Sequence, residues 1–228
     1  MTAKRRDFLR RENPRLVRLL GLSPLLAVSH SLVTALGLGL ATLVVTTISA
    51  LALAPLRGRL ASPVLLPAAL LVITTGTAGV DLLMQAFFHP LHQALGLYVP
   101  LIAVNGAVLL ASTQPDAEKP ARAVLDALAV GLGMLLALAL LGATRELFGH
   151  GTLLRDLDLL LGGRATGWEL RLLPAGYAFP FWTLPAGGFI AAGLAMALHR
   201  RLTPHRPEPL PITPAVRARV TASANADE

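Results

Sequence analysis

The sequence contains no cysteine among its 228 residues. This chain therefore supplies no disulfide, no thiolate nucleophile and no cysteine ligand for zinc, haem or an iron–sulfur cluster. Charge is also scarce, since only 14% of the residues are charged, whereas an ordinary soluble domain keeps about a quarter. With 54% hydrophobic residues and a mean hydropathy of +0.62, the composition indicates an integral membrane protein.

Several common functional motifs are also missing. The sequence has no P-loop, no Gly-x-Ser-x-Gly nucleophile motif and no zinc-binding His-Glu-x-x-His motif. His30, His89 and His92 form only a weak metal-ligand pattern, so we predict interfacial polar residues there and no metal site. The chain alone is expected to perform no covalent chemistry, and no catalytic residue is predicted.

Six apolar segments predict an all-α integral membrane protein with six transmembrane segments. They cover about residues 16–28, 32–56, 64–88, 91–112, 122–148 and 179–198. A straight crossing needs roughly 20 residues, so the first segment is too short, and Pro24 also removes a helical hydrogen bond from it. Pro100 interrupts the fourth segment in the same way. We therefore expect the first and fourth segments to be broken helices or half-helices.

The charge pattern predicts the orientation and the ends of the chain. Most of the net charge of +7 lies in the two tails, and no cleavable signal peptide is predicted because arginines and a proline interrupt the first apolar run. Beside apolar spans, basic tails indicate cytoplasmic flanks and not a nucleic-acid interface. The basic connections at Arg57 and Arg59 and at Lys119 and Arg122 fall on the same side as the tails. Both termini are therefore expected in the cytoplasm.

Three regions follow from these features. Residues 1–13 are predicted to be a basic cytoplasmic tail and residues 14–201 a six-helix membrane domain. Residues 202–228 are rich in proline and polar side chains, so they are predicted to be a disordered cytoplasmic tail. Within the membrane domain, a first repeat covers about residues 14–88 and a second about 91–201.

A sequence duplication supports this division. Residues 21–29 and residues 96–106 both read Gly-Leu, then a proline, then Leu, Leu or Ile, Ala and Val before a polar residue. Each half holds three crossings, an odd number, so the second copy must insert upside down relative to the first. The chain is therefore predicted to be a 3+3 inverted repeat.

In inverted repeats, broken helices meet near the bilayer midplane, where their interrupted backbones can hold a charge or an ion. The alternative is that the prolines only kink packed helices. The repeat favours the first interpretation. The predicted midplane site comprises Ser23, Pro24, Pro100, Asn105 and Gly106.

Two carboxylates are candidates for an ion pathway. Asp81 lies well inside the third segment, where a buried carboxylate is costly enough to suggest ion binding or a proton relay. Alternatively, it lies near the outer face of the bilayer or bonds another helix while protonated. Asp126 is either a second pathway residue or a charge favoured by the dipole near a helix N-terminus. Arg145 and Glu146 are interpreted as an intrachain pair or, preferably, as an interfacial anchor.

Paired glycines occur at corresponding places in the two halves. Gly37 and Gly39 in the second segment, and Gly131 and Gly133 in the fifth, resemble part of a dinucleotide-binding motif, but no strand precedes either pair. We predict that they are positions where neighbouring helices pack closely.

The chain resembles the E subunit of the Rnf-type electron transport complex, in a family that includes the D subunit of the sodium-pumping NADH:quinone reductase. The resemblance runs from about residue 13 to 200 and rests on Asn13-Pro14, residues 19–28, residues 35–42, residues 100–102, Asp126, residues 145–153 and residues 184–187. It implies an integral component of a bacterial inner-membrane complex that couples electron transfer between NADH and ferredoxin, or quinone in the relative, to sodium or proton movement. It also implies a homologous partner of opposite topology, the A subunit of the Rnf complex, and further subunits carrying flavin and iron–sulfur centres.

One departure from the family concerns the redox centre. The resemblance implies cysteines within Gly-Leu-Cys-Pro and Thr-Asn-Cys that hold a [2Fe–2S] cluster together with two cysteines of the partner. Ser23 and Gly106 stand at those two positions here, so a four-cysteine site cannot be completed. Either the cluster is lost, or it is held by partner ligands and water, or the chain is a scaffolding or ion-conducting paralogue.

Three functions therefore remain open. The first is a membrane subunit of a redox-driven ion pump, and it is the one we rank highest. The second is a secondary transporter that acts alone, with Asp81 as its coupling carboxylate. The third is a structural paralogue that has lost the redox centre.

Overall fold

The computed structural model describes residues 30–57, 59–60, 62–113, 120–162, 167–174 and 178–202. The described part is mostly helical. Its α-helices are α1 (Leu32–Arg57), α2 (Ser62–Phe87), α3 (His89–Leu95), α4 (Gly106–Thr113), α5 (Pro120–His150), α6 (Asp158–Leu161) and α7 (Pro185–Leu202). Two short antiparallel strands, β1 (Thr152–Leu153) and β2 (Leu170–Arg171), pair with each other after α5. The predicted first segment, with Ser23 and Pro24, and both predicted tails lie outside the described residues.

Three helices are long and apolar enough to cross a membrane. Among the described residues these spans are Leu32–Leu56, Val64–Phe87 and Ala121–His150, and a shorter apolar helix covers Pro185–Leu198. They coincide with the second, third, fifth and sixth predicted segments. The prediction of a helical membrane protein is confirmed at this level, while the full count of six spans and the inverted repeat stay predictions.

The fourth predicted segment is interrupted, as its proline indicated. After α3 the chain forms two 3-10 turns, Gly96–Tyr98 and Pro100–Val104, and then α4 begins at Gly106. Asn105 separates the turns from α4 with an extended backbone, at φ −71° and ψ 117°. The chain therefore leaves the α-helical path for about ten residues in the middle of this segment.

The sixth segment begins later than predicted. We expected a helix from Phe179, but Pro180–Thr183 form a 3-10 turn and α7 starts at Pro185. The reason is that a residue before proline is pushed out of the α region. Leu184 precedes Pro185 and is extended, at ψ 154°. Pro185 then occupies the first helical position, where its missing N–H costs nothing.

The helices α1 and α5 pack against each other in antiparallel directions. A Cβ atom at Gly39 would lie 2.6 Å from Leu135 Cδ1, and one at Gly131 would lie 2.5 Å from Leu43 Cδ1. Each leucine therefore occupies the space that a side chain at the opposite glycine would fill. Near one end of the pair Gly142 meets Leu32, and near the other Ala54 packs on Ala123.

The close-packing prediction for the four glycines is confirmed at three of them. Gly39 and Gly131 lie in the α1–α5 contact, and Gly37 lies under Leu91 of α3. Within the described part of the chain nothing lies within 4 Å of a Cβ atom at Gly133, so close packing there stays a prediction.

The core joins α1, α2, α3, α4 and α5. The buried side chains that form it include Leu38, Val45, Ile73, Leu91, Val99, Ile102, Val108 and Leu138. The chain divides into two compact units, Met1–Ala192 and Gly193–Glu228, and every site discussed below lies in the first. The predicted domain limits stay predictions.

Candidate functional site

Asn105 organises the interruption in the fourth segment. Its side-chain Oδ1 accepts a hydrogen bond from Ala107 N at 2.9 Å, and its carbonyl accepts one from Leu109 N at 3.0 Å. Its own N–H donates to Ile102 O at 3.1 Å. Asn105 is thus the N-cap of α4, and it is only 2% exposed. The buried break is stabilised locally, and a role in ion binding stays a prediction.

Gly106 follows as the first residue of α4. It is half-buried, and no described atom lies within 4 Å of the position that a Cβ atom would take. Its φ is not in the left-handed region, so neither packing nor backbone conformation in the described structure requires a glycine. Pro100 is the first residue of the preceding 3-10 turn. Ser23 and Pro24, the other half of the predicted midplane site, lie outside the described residues.

The donor set does not fit the cluster that the sequence resemblance implies. Glycine at position 106 offers no side-chain ligand, and the whole chain contains no thiolate. A serine oxygen at position 23 is a poor substitute for sulfur in an iron–sulfur site. Any cluster at this place would therefore need its sulfur ligands from another chain.

Asp81 is paired with a histidine of the next helix. Its Oδ1 lies 2.9 Å from Nε2 of His92, which belongs to α3. The Asp81 and His92 side chains are 31% and 18% exposed, so the pair is partly shielded from solvent. This arrangement matches the alternative of a hydrogen bond between helices. Whether Asp81 serves an ion pathway stays a prediction.

Asp126 is exposed on the side of α5. The helix begins at Pro120, so Asp126 lies beyond the first turn. Because the effect of the helix dipole falls off within that turn, the dipole interpretation of Asp126 is not supported. The exposed carboxylate faces away from the described core.

Arg145 and Glu146 form a site that the sequence did not reveal. Both side chains are 0% exposed, although they were interpreted as an interfacial anchor. That interpretation is wrong, because α5 carries them to the inside of the described structure, where they bind backbone groups. Burial of adjacent charges is costly unless each one is well hydrogen-bonded.

The Arg145 guanidinium binds the turn that precedes α7. Its Nε donates to Trp182 O at 3.0 Å, and its Nη2 donates to Thr183 O at 2.8 Å and to Leu184 O at 3.1 Å. These carbonyls lie where Pro180 and Pro185 interrupt regular helix formation. The arginine thus supplies donors to the carbonyls of an irregular turn, of which Leu184 O also accepts a bond from Gly188 N of α7.

The Glu146 carboxylate binds two N–H groups with its two oxygens. Oε2 accepts from Leu32 N at 2.8 Å, and Oε1 accepts from Arg155 N at 2.8 Å. Leu32 is the first residue of α1, whose N–H has no partner within its own helix. A negative charge at this position is also favoured by the dipole of α1.

Glycines allow the backbones to approach the two charges. A Cβ atom at Gly142, one turn before Glu146, would lie 2.7 Å from Ser31 O and 2.6 Å from Ala35 Cβ. At Gly149, on the other side, it would lie 2.5 Å from Thr183 Cγ2. The signal in the sequence was an Arg-Glu pair bracketed by glycines within an apolar run, but its partners are far away along the chain.

The chain is similar to known membrane proteins along most of its length. Residues 5–196 match the model of the family described as "Rnf-Nqr subunit, membrane protein". The E subunit of the ion-translocating oxidoreductase complex of Pseudomonas paraeruginosa is 46% identical over 199 residues, which are 86% of this chain and 83% of that protein. The protein of the same name from Cellvibrio japonicus is 43% identical over 195 residues, 85% and 82% of the two chains. That of Thioalkalivibrio sulfidiphilus is 42% identical over 187 residues, 82% of each chain.

Proposed function

The chain belongs to the Rnf-Nqr family of membrane subunits, and we propose that it is the E subunit of an ion-translocating oxidoreductase complex. The observation that carries this proposal is the identity of 46% to a protein of that name over 86% of the chain. In this role the chain couples electron transfer between ferredoxin and NADH to sodium or proton movement. It works in the bacterial inner membrane as part of a complex and is not a catalyst by itself.

The partners that this role requires are other subunits of the complex. They comprise the homologous A subunit, which has inverted topology, and subunits that carry flavin and iron–sulfur centres. An exposed apolar stripe on α5, formed by Leu125, Leu132, Leu136 and Leu140, offers a surface for lipid or for a membrane partner. The relatives described above carry the name of E subunits of an ion-translocating oxidoreductase complex, which supports the presence of further subunits.

The packing of α1 on α5 supports an inverted repeat. These helices are the second segments of the two proposed halves, and they run antiparallel. Gly39 receives Leu135 while Gly131 receives Leu43, and each leucine follows the glycine of its own helix by four positions. A twofold axis through the crossing would exchange the two pairs. An even number of six spans would put both termini on one side of the membrane, and the basic residues of the two tails support the cytoplasmic side.

For the redox centre, we propose that this chain has lost its share of the [2Fe–2S] cluster. The support is chemical, because no thiolate is present and Gly106 lacks a side chain. Ion-pathway roles are proposed for Asp81, for Asp126 and for the interrupted backbone at Asn105. Asp81 has a titratable neighbour in His92 at 2.9 Å, a combination that can pass a proton between helices.

Purification of a tagged chain in mild detergent tests the function. Mass spectrometry should find a homologous membrane protein together with flavin-bearing and iron–sulfur subunits. If the membrane cluster is lost, the iron and labile sulfide content of the same sample should equal the content of the separate iron–sulfur subunits. Recovery of the chain by itself, without these subunits, would contradict the proposal and favour an independent transporter.

A further inference from the structure

The antiparallel α1–α5 pair is held by different interactions at its two ends. At one end, called the clamped end, Glu146 of α5 bonds Leu32 at the start of α1, and Arg145 bonds the turn before α7. At the other end, called the alanine end, the described contact is between Ala54 and Ala123. Among the described residues, no side-chain hydrogen bond joins the two helices at the alanine end. The two ends therefore differ in how easily they can separate.

Separation at the clamped end would break the hydrogen bond of a buried carboxylate. Glu146 uses both carboxylate oxygens, each at 2.8 Å from an N–H group, and these groups belong to two different segments. Arg145 reaches three successive carbonyls. Both side chains are completely buried. Opening of α1 from α5 here would leave the Leu32 N–H and one oxygen of the buried Glu146 carboxylate without their partner, which is unfavourable. The Arg145 bonds hold the turn before α7 at the same end of α5.

At the alanine end, the contact that the described residues show is apolar. In a bilayer, apolar helix surfaces lose little when lipid replaces a neighbouring helix, because lipid tails are as apolar as the side chains. Between the two ends lies the crossing where Leu43 and Leu135 each cover a glycine of the opposite helix. The crossing therefore separates the hydrogen-bonded end of the pair from the end where the described contact is apolar.

We propose that Glu146 is a positioning residue that keeps the clamped end of the α1–α5 pair closed during turnover, while Arg145 holds the turn before α7 at the same end, so that the pair opens at the alanine end. This inference rests on the proposed function, since the opening serves ion movement. The clamp confines the motion to one side of the crossing. An ion can then be exchanged with the side of the membrane at which the alanine end lies. The clamped end stays closed and seals the opposite side.

Cysteine cross-linking in the assembled complex tests which end moves. The chain has no native cysteine, so an introduced pair supplies its only thiols. The test pair is Ala54→Cys with Ala123→Cys, at the alanine end. The matched control is Leu141→Cys with Ala191→Cys, two buried residues that pack together one turn from the clamp and take no part in it. Each complex is placed in proteoliposomes and treated with a short bifunctional thiol reagent.

Cross-linking of the test pair should abolish electron-driven ion uptake, and reduction of a cleavable reagent should restore it. The control pair should keep its uptake after cross-linking. If the test pair keeps full uptake when cross-linked, or if the control pair alone loses it, the inference is overturned. A complex of unmodified sequence that transfers electrons without moving ions would instead contradict the proposed function.

A second variant addresses the clamp directly. Glu146→Gln keeps the shape of the side chain but replaces one of its two acceptor oxygens by an NH2 group. The amide oxygen can accept from one of the N–H groups of Leu32 and Arg155, and the NH2 group then faces the other, which is also a donor. The number of ions moved per electron should fall severalfold while electron transfer and subunit composition stay unchanged. The control is Glu169→Gln, at an exposed carboxylate bonded to Arg171. An unchanged ion-to-electron ratio in an assembled Glu146→Gln complex would overturn the inference.

Discussion

Substitution of Gly142 by alanine tests the contact on which the buried charges depend. The new Cβ atom would lie 2.6 Å from Ala35 Cβ, 2.7 Å from Ser31 O and 3.2 Å from Leu32 Cα. Two of these atoms belong to the backbone of α1 or its cap, so no flexible side chain can move aside. Since carbon atoms pack at about 3.5–4 Å, the helices must separate by roughly 1 Å.

The separation also reaches Glu146, one turn further along α5. Its bond to Leu32 N is 2.8 Å long, and a shift of about 1 Å would stretch it beyond the usual hydrogen-bond range. Overpacking costs about 1–3 kcal/mol, and loss of a hydrogen bond to a charged group costs about 1.5–3 kcal/mol. The higher helix propensity of alanine offsets about 1 kcal/mol of this. The expected net loss of stability is about 1.5–5 kcal/mol.

The assay is thermal unfolding of the purified complex in mild detergent, with Gly133→Ala as the matched control. Gly133 lies on the same helix, and no described atom is within 4 Å of its Cβ position. The control should therefore be neutral, or more stable by up to about 1 kcal/mol. Gly142→Ala should unfold at a clearly lower temperature than both the control and the parent. Equal unfolding temperatures for the two variants would refute the packing argument.

Four further predictions follow from the site. Gly106→Cys should assemble and unfold like the parent, because the described structure leaves room for the side chain; failure to assemble would show that the position needs glycine. Asn105→Ala should lower stability in thermal unfolding by about 1 kcal/mol, because the N-cap of α4 is lost. Asn105→Asp should keep most of the parent's stability, because aspartate also caps a helix N-terminus. Arg145→Met should destabilise by about 3–5 kcal/mol, because its three hydrogen bonds to the carbonyls of Trp182, Thr183 and Leu184 are lost. The control Arg171→Met should change stability by less than about 1 kcal/mol, because the Arg171–Glu169 pair is exposed. Asp81→Asn preserves a hydrogen bond to His92 but removes the charge, so ion uptake in proteoliposomes should fall; a variant with full uptake would remove Asp81 from the pathway.

Several features of the fold could be predicted because they depend on local composition. The spans at residues 32–56 and 64–87 were visible as apolar runs of sufficient length, and Pro100 located the interruption before α4. The start of the sixth segment was placed too early. The apolar character of Phe179 and Phe181 continued through a turn that Pro180 and Pro185 prevent from becoming an α-helix.

The roles of individual polar residues could not be predicted in the same way. Arg145 and Glu146 stand near the end of a long apolar helix, which is typical of residues at a membrane interface. Their burial depends on the turn at residues 180–183 and on α1 folding back over them. Asp81 likewise has a partner, His92, that only the sharp reversal between α2 and α3 brings within 2.9 Å.

By itself, the sequence determined the membrane class, the family and the absence of any thiolate ligand, because these depend only on which residues are present and in what order. The tertiary structure alone decided which glycines a neighbouring helix approaches closely and where the buried charges bind. Gly133 and Gly142 lie on one helix, yet only Gly142 touches the neighbouring backbone. Glu146 and Leu32 are 114 positions apart. A contact over such a separation is set by how the helices pack, and no local pattern in the chain encodes it.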